Sequence, residues 1–288
     1  MNKQNQSIQL AQRAGIRAGS RQQRSLHWPI IRALLQVGLA AIFLLGWEFL
    51  PKIKFLSENV RFLDAFFISS PTATWHSLVG LLTGENDNRI SLWPYLWVTL
   101  SSTLAGTLIG MTLGAVCGLV FSNNRRLSEV VQPFLIIANS VPRVAIIPIF
   151  VVMMGPTIGA AILSVITVVF FLVFFNAFEG GTSIKESLIE NAVLLGAGPL
   201  DVMRSIRLPM VLTWTFAAVP NAISFGLVVA VTTELLAGIP GIGSLILTAT
   251  ANLQVATTFA IIAALSAVGL ILYWGTVYLQ RLVIHWKH

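Results

Sequence analysis

Six runs of apolar residues alternate with short polar stretches along this chain: Ile30 to Leu50, Leu92 to Phe121, Val131 to Met153, Ile158 to Phe178, Val211 to Leu236 and Thr257 to Leu279. Crossing about 30 Å of hydrocarbon takes roughly 20 helical residues, and every run reaches that length. The second is over-long, so its first turn is expected along the interface. None shows the two-residue alternation of a barrel strand, and backbone groups in lipid must satisfy one another. The pattern predicts an all-α, polytopic membrane helix bundle of about six transmembrane helices.

Between the fourth and fifth runs lies a polar island, Gly180 to Pro209, that keeps helical order. Ile184, Leu188, Ile189, Ala192, Val193 and Leu195 recur at helical spacing, with Lys185, Glu186 and Glu190 on the opposite side. Gly196 and Gly198 supply a stop and a turn, Pro199 suits the first position of a new helix, and Asp201 suits that helix's positive end. This second short helix is expected to finish before Pro209. The island thus reads as a helix-turn-helix knob held at both ends by spans. Such a knob either docks into a partner's groove and passes movement to the spans, or lies on lipid as an interfacial hairpin.

Charge sets the orientation. With the N-terminus cytoplasmic, thirteen Lys and Arg fall on the inner side, from Lys3 to Arg32, at Arg125 and Arg126, at Lys185, Arg204 and Arg207, and at Arg281 and Lys287. Four fall outside, Lys52, Lys54, Arg61 and Arg89, and Arg143 lies within a run. The positive-inside bias places both termini in the cytoplasm. Composition agrees: 56% of residues are hydrophobic, 10% are charged, and mean hydropathy is +0.81. A basic face on anionic lipid accounts for the net charge of +7 without a nucleic-acid partner. Residues 1–29 lack a cleavage site and read as a basic cytoplasmic tail, leaving 30–288 as the membrane domain.

Reactive chemistry is sparse. Cys117 lies in a span, and His27, His76, His285 and His288 are scattered, so no catalytic, cofactor or metal site is expected. The glycine-rich Gly238 to Gly243 follows no strand and lacks the lysine of a phosphate loop, so it is expected to be a turn at the membrane edge. Gly106, Gly110, Gly114 and Gly118 stripe one face of the second span, for close helix packing or for a sliding contact. The third run carries Asn139, Ser140, Pro142, Arg143 and Pro148, and Pro142 predicts a kink or break. Counted along a straight helix from Val131, Arg143 lies about 18 Å in, near the midplane. It either lines an aqueous pathway and contacts an anionic solute, or pairs with a carboxylate or freed carbonyls. Glu234, after Pro220 and Asn221, is the acidic counterpart, and a pair between the two is open. Glu48 and Glu179 sit at span ends, where solvation is expected.

The island carries a resemblance. Glu190-Asn191-Ala192, three residues, Gly196, nine residues, Ile206, one residue and Leu208-Pro209 resemble the EAA loop of ABC importer permeases, EAA-x3-G-x9-I-x-LP, with one departure at Asn191. From about residue 66 onward, the segments ISSPTATWHSLVGLL, SNNRRLSEVVQPFL, SVPRVAIIPIF and PNAISFGLVVAVTTELLAGIPGIGSLI are similar in order and spacing to the nitrate, taurine and aliphatic-sulfonate branch. Ser70 replaces a proline of that pattern, Met153-Met154-Gly155-Pro156 replaces an aromatic-Gly motif, Arg143 replaces a small residue or proline, and the fifth span lacks a frequent tryptophan.

The resemblance implies a type I importer half. Two copies of this permease, the preferred homodimer, or this chain with a similar one, would form the pathway. Two cytoplasmic ATPase subunits, which bind the ATP and Mg, would receive the islands, and an extracytoplasmic binding protein would deliver solute. It puts the ATPase contact at Glu190, Asn191, Ala192, Gly196, Gly198, Pro199 and Asp201. Asn139, Ser140, Arg143 and Glu234 are the pathway candidates. The branch favours small organic or inorganic anions, and heterocycle importers of the thiamine-precursor kind share the pattern. An ion-coupled secondary transporter, with two structural repeats and paired carboxylates, and a membrane scaffold are the competing classes.

Overall fold

The computed structural model describes residues 28–53, 65–85 and 90–283, so the basic tail and three of the four histidines lie outside the described residues. All regular elements among the described residues are helical. The chain divides into two compact units, 1–73 and 74–288.

In the first unit, α1 (Trp28–Phe49) runs into a 3-10 turn, Leu50–Lys52, and a short α2 (Ala65–Ile68) precedes the first residues of α3 (Pro71–Thr83), whose remainder from Thr74 onward belongs to the second unit. A helix leaves its first amide groups without internal acceptors. Here the Ser70 hydroxyl accepts from the Ala73 amide at 3.3 Å and the Glu48 carboxylate accepts from the Thr72 amide at 3.2 Å. Glu48 also receives the Thr72 hydroxyl at 3.1 Å and Lys52 Nζ at 2.6 Å. This corrects the expectation of a merely solvated span end, because an acid on α1 caps the positive end of α3. Trp47 Nε1 donates to the Ile68 carbonyl at 3.1 Å in the same unit.

The second unit is centred on α4 (Leu92–Asn123), α7 (Ile158–Thr182) and α10 (Leu208–Ala237). The glycine stripe of α4 explains their closeness. A Cβ on Gly106 would stand 2.6 Å from Val165 Cβ, on Gly114 2.7 Å from the Phe170 carbonyl oxygen, and on Gly118 2.6 Å from Ala177 Cβ. The same valines of α7, Val165, Val169 and Val173, are buried in one cluster with Ala218, Ala222 and Ala230 of α10. At the far end, Leu81, Leu92 and Leu96 pack with Ile242, Leu245 and Ala249 of α11 (Ile242–Ala251) and with Ala260 and Ile261 of α12 (Val255–Val283).

Two runs take shapes beyond the sequence pattern. The third is a pair, α5 (Arg125–Ser140) and α6 (Arg143–Met154), bent by 84°. The break falls at Val141 and Pro142, as the proline predicts, while Pro133 and Pro148 are absorbed within helices. The straight-helix depth count for Arg143 therefore does not hold. The fifth passes through Pro220 unbroken. By length and composition, five helices among the described residues are apolar and long enough to cross a membrane, or six if the bent pair is one span.

Candidate functional site

The island forms α8 (Glu186–Leu194) and a four-residue α9 (Pro199–Val202). The turn between them is closed by its own backbone. Gly196, at φ +93°, follows the last helical residues, its amide donates to the Val193 carbonyl at 2.9 Å, and the Ala197 amide donates to the Ala192 carbonyl at 3.0 Å. A left-handed residue at this position releases the last carbonyls of α8 to the turn, and glycine is the residue that adopts it without strain. The Gly198 amide then donates to Asp201 Oδ2 at 2.9 Å, with Pro199 at the first helical position. Gly196, Gly198, Pro199 and Asp201 thus build the turn, while Glu190 and Asn191 project from the exposed surface and Ala192 is half-buried.

The apolar side of this element is uncovered. Leu188, Val193, Leu194, Leu195 and Leu200 are all exposed, Leu194 by 84% and Leu195 by 89%, and α8 contains no buried residue. Helical spacing groups Leu188, Val193 and Leu195 as apolar positions of the knob, and they are exposed in this chain.

The second island helix does not end before Pro209, which corrects the expected knob. It passes through a π-turn, Met203–Arg207, straight into α10. Pro209 is the second residue of α10, which follows directly on the π-turn. At this root, the Arg207 guanidinium donates to the Ser122 carbonyl in the last turn of α4 at 3.3 Å.

Arg143 opens α6 and is the single charged residue between Glu129 and Glu179. Its guanidinium donates to the Asn139 side-chain oxygen and lies over the Phe171 ring, 5.4 Å from the centroid. Its Nε is buried without a partner, and no carboxylate pairs with it among the described residues. Ser140 is exposed, but its hydroxyl turns back to the Ile136 carbonyl at 2.8 Å. Asn139 and Arg143 are therefore brought together, and Ser140 bonds to its own helix.

Glu234 stands apart from them. It is fully buried, and its Oε2 accepts the Thr99 hydroxyl at 2.9 Å and the Gly243 amide at 3.0 Å, while Oε1 has no partner. The Ile242 amide donates to Thr99 Oγ1 at 2.9 Å. The N-cap of α11 is Gly241, which has no side chain to cap with, so α4 and α10 supply the acceptors instead. The glycines leave room for this. A Cβ on Gly241 would stand 2.2 Å from Glu234 Cδ, and on Gly243 2.4 Å from the Val231 carbonyl oxygen. Glu234 thus closes a structural joint and does not pair with Arg143. The expected turn is present, with Gly238 in the left-handed region at φ +67°. No cluster of metal-ligating side chains occurs among the described residues.

A family model described as binding-protein-dependent transport system inner membrane component matches residues 106–285. The riboflavin transport system permease protein RibX of Chloroflexus aurantiacus is 28% identical over 163 residues, which are 57% of this chain and 61% of that protein. The taurine transport system permease protein TauC of Escherichia coli is 23% identical over 260 residues, 90% of this chain and 92% of the other. Among solved structures, a chain of the MetNI methionine ABC transporter in an inward-facing conformation shares the fold with a TM-score of 0.58 at 19% identity, covering 67% of this chain and 95% of that one.

Proposed function

Because this chain belongs to the family of inner membrane components of binding-protein-dependent transport systems, we propose that it is the permease subunit of an ABC importer and that separate ATPase subunits drive it through residues 180–209. The observation that carries this reading is the uncovered apolar side of α8 on a backbone held fixed by its turn. Exposed apolar clusters on an ordered scaffold mark protein contacts. Glu190 offers the partner an acceptor, Asn191 an amide, and Ala192 close approach, while Gly196, Gly198, Pro199 and Asp201 hold the shape.

Two permease copies form the pathway, two ATPase subunits bind ATP and Mg, and an extracytoplasmic binding protein supplies the solute. This chain does no hydrolysis itself. Residues 1–29 are a basic tail on the ATPase side of the inner membrane, where both termini lie, and 30–288 are the permease domain. Closing and opening of the ATPases shifts the balance between inward- and outward-facing states.

The solute class is inferred from Arg143. Taurine and riboflavin, the solutes named for the two relatives, are chemically dissimilar, whereas an uncompensated guanidinium at a break within a span favours an anion. Small organic or inorganic anions of the sulfonate or nitrate type are the proposed cargo, contacted by Arg143 and Asn139.

Co-purification of the detergent-solubilised chain with its co-expressed ATPase, beside Gly196→Asp, tests the docking role. Retention by the wild type and loss by an inserted mutant support it. No association with any ATPase would overturn the importer reading in favour of a secondary transporter.

A further inference from the structure

We propose that Arg207 is a positioning residue that ties the island to the end of α4, so that island, α4 and α5 move as one body. The proposal rests on the importer reading above.

The last carbonyls of a helix lack internal partners and carry partial negative charge that favours a cation. Arg207 meets this need for α4 at the Ser122 carbonyl, 85 positions away in sequence. It closes the π-turn, and one extra residue in a helical turn rotates the helix on its N-terminal side by ~100° relative to the helix on its C-terminal side. The π-turn therefore sets how the island is rotated on α10, at the residue that holds α4.

The other flank of the island reaches the same serine. A Cβ on Gly181, at the end of α7, would stand 2.0 Å from Ser122 Oγ and 3.3 Å from Val211 Cγ2 at the start of α10. Both flanks thus close on the last turn of α4. Packing contacts of this kind transmit a push, but a hydrogen-bonded cation also resists a pull. Beyond Ser122 there is no slack. Asn124 alone separates α4 from α5, and its side chain caps α5 by accepting from the Leu127 amide at 3.2 Å. Displacement of α8 in either direction therefore arrives at α5, and through it at the Arg143 break.

The test uses the full chain with its co-expressed ATPase in nanodiscs, in a Cys117→Ala background. Spin labels are placed at Ser187→Cys on α8 and Val130→Cys on α5, both exposed positions. The distance between them is measured without nucleotide and with ATP and vanadate. With Arg207 present the distance stays constant, because both labels ride on one body. With Arg207→Ala it shifts by about 2 Å or more, the size of ordinary helix displacements. Arg207→Gln, which keeps a donor, restores constancy. If Arg207→Ala does not insert, Arg207→Met keeps the apolar stem, removes the donors and is read the same way. Equal behaviour of wild type and the donor-less variants overturns the tie alone. Absence of the ATPase from the wild-type preparation overturns the importer reading instead.

Discussion

The hydroxyl of Thr99 and the carboxylate of Glu234, 135 positions apart, meet at 2.9 Å in the interior of the helix bundle. Through Gly243 and Ile242 they join three helices at one point. Glu234→Ala leaves the Gly243 amide and the Thr99 hydroxyl buried without that partner and is expected to cost roughly 2–4 kcal/mol, against about 1 kcal/mol for Glu234→Gln, which keeps an acceptor oxygen. Unfolding midpoints in detergent measure both. Equal losses would show that the oxygen is not what holds the joint.

Along the glycine stripe, the expected cost depends on what a side chain would strike. Gly114→Val drives its Cβ toward the Phe170 carbonyl, 2.7 Å away, and the Phe174 amide, 2.9 Å away. Backbone cannot step aside as a side chain does, so overpacking of about 1–3 kcal/mol is expected. Gly275→Ala, with no atom within 4 Å of the added carbon, should lose nothing. Thermal stability of the two variants side by side separates close packing from a mere excess of glycine.

Leu253 points to a gain. It follows α11 in the left-handed region at φ +57°, in the same turn geometry as Gly196, with the Gln254 amide donating to the Ala249 carbonyl at 2.9 Å. A leucine there carries strain of about 1 kcal/mol that glycine avoids. Leu253→Gly should raise the unfolding midpoint accordingly. A lower midpoint would mean that the side chain holds a contact worth more than the strain.

For Arg143 the expected effect falls on solute rather than on folding. A hydrogen bond between charged groups contributes about 1.5–3 kcal/mol, so Arg143→Gln should weaken an anionic solute roughly 10- to 100-fold. Taurine, nitrate and an alkanesulfonate serve as probes in calorimetric titration of the purified complex. Unchanged affinity for whichever anion binds the wild type would remove Arg143 from the pathway.

Glu48 gives a local check on the first unit. Glu48→Ala removes the acceptor of the Thr72 amide and should destabilise the start of α3 by ~1 kcal/mol. Faster amide exchange at Thr72 is the expected signature, and unchanged protection there would show that Ser70 suffices as the cap.

How far the sequence was legible depends on the range of the interactions involved. The apolar runs match the long helices because helix length in lipid is a property of each segment alone. The α8 turn and the Pro142 break were legible for the same reason, since glycine and proline act on their own backbone. Glu48 and Glu234 were not, because each caps a helix that begins elsewhere in the chain. The only trace of the Glu234 joint is indirect: two glycines flank Ile242 where the carboxylate needs room. The π-turn has no signature in helical spacing, and the proline after it suggested an end where the helix continues. Spacing also shows that an apolar face exists on α8 without saying whether anything covers it.

The backbone contact between α4 and α7 limits the kinematics of any transport cycle. Two helices touching at Gly106, Gly110, Gly114 and Gly118 cannot roll, because Val165, Val169, Val173 and Ala177 sit in the notches. Nor can they slip along their length without lifting those side chains over the intervening residues. The pair is thereby notched together, which supports the close-packing reading of the stripe. The ladder of backbone bonds is interrupted elsewhere, among other places on both sides of α6, at Val141–Pro142 and at Gly155. The stripe therefore sets what stays fixed, and bending is left to breaks of this kind.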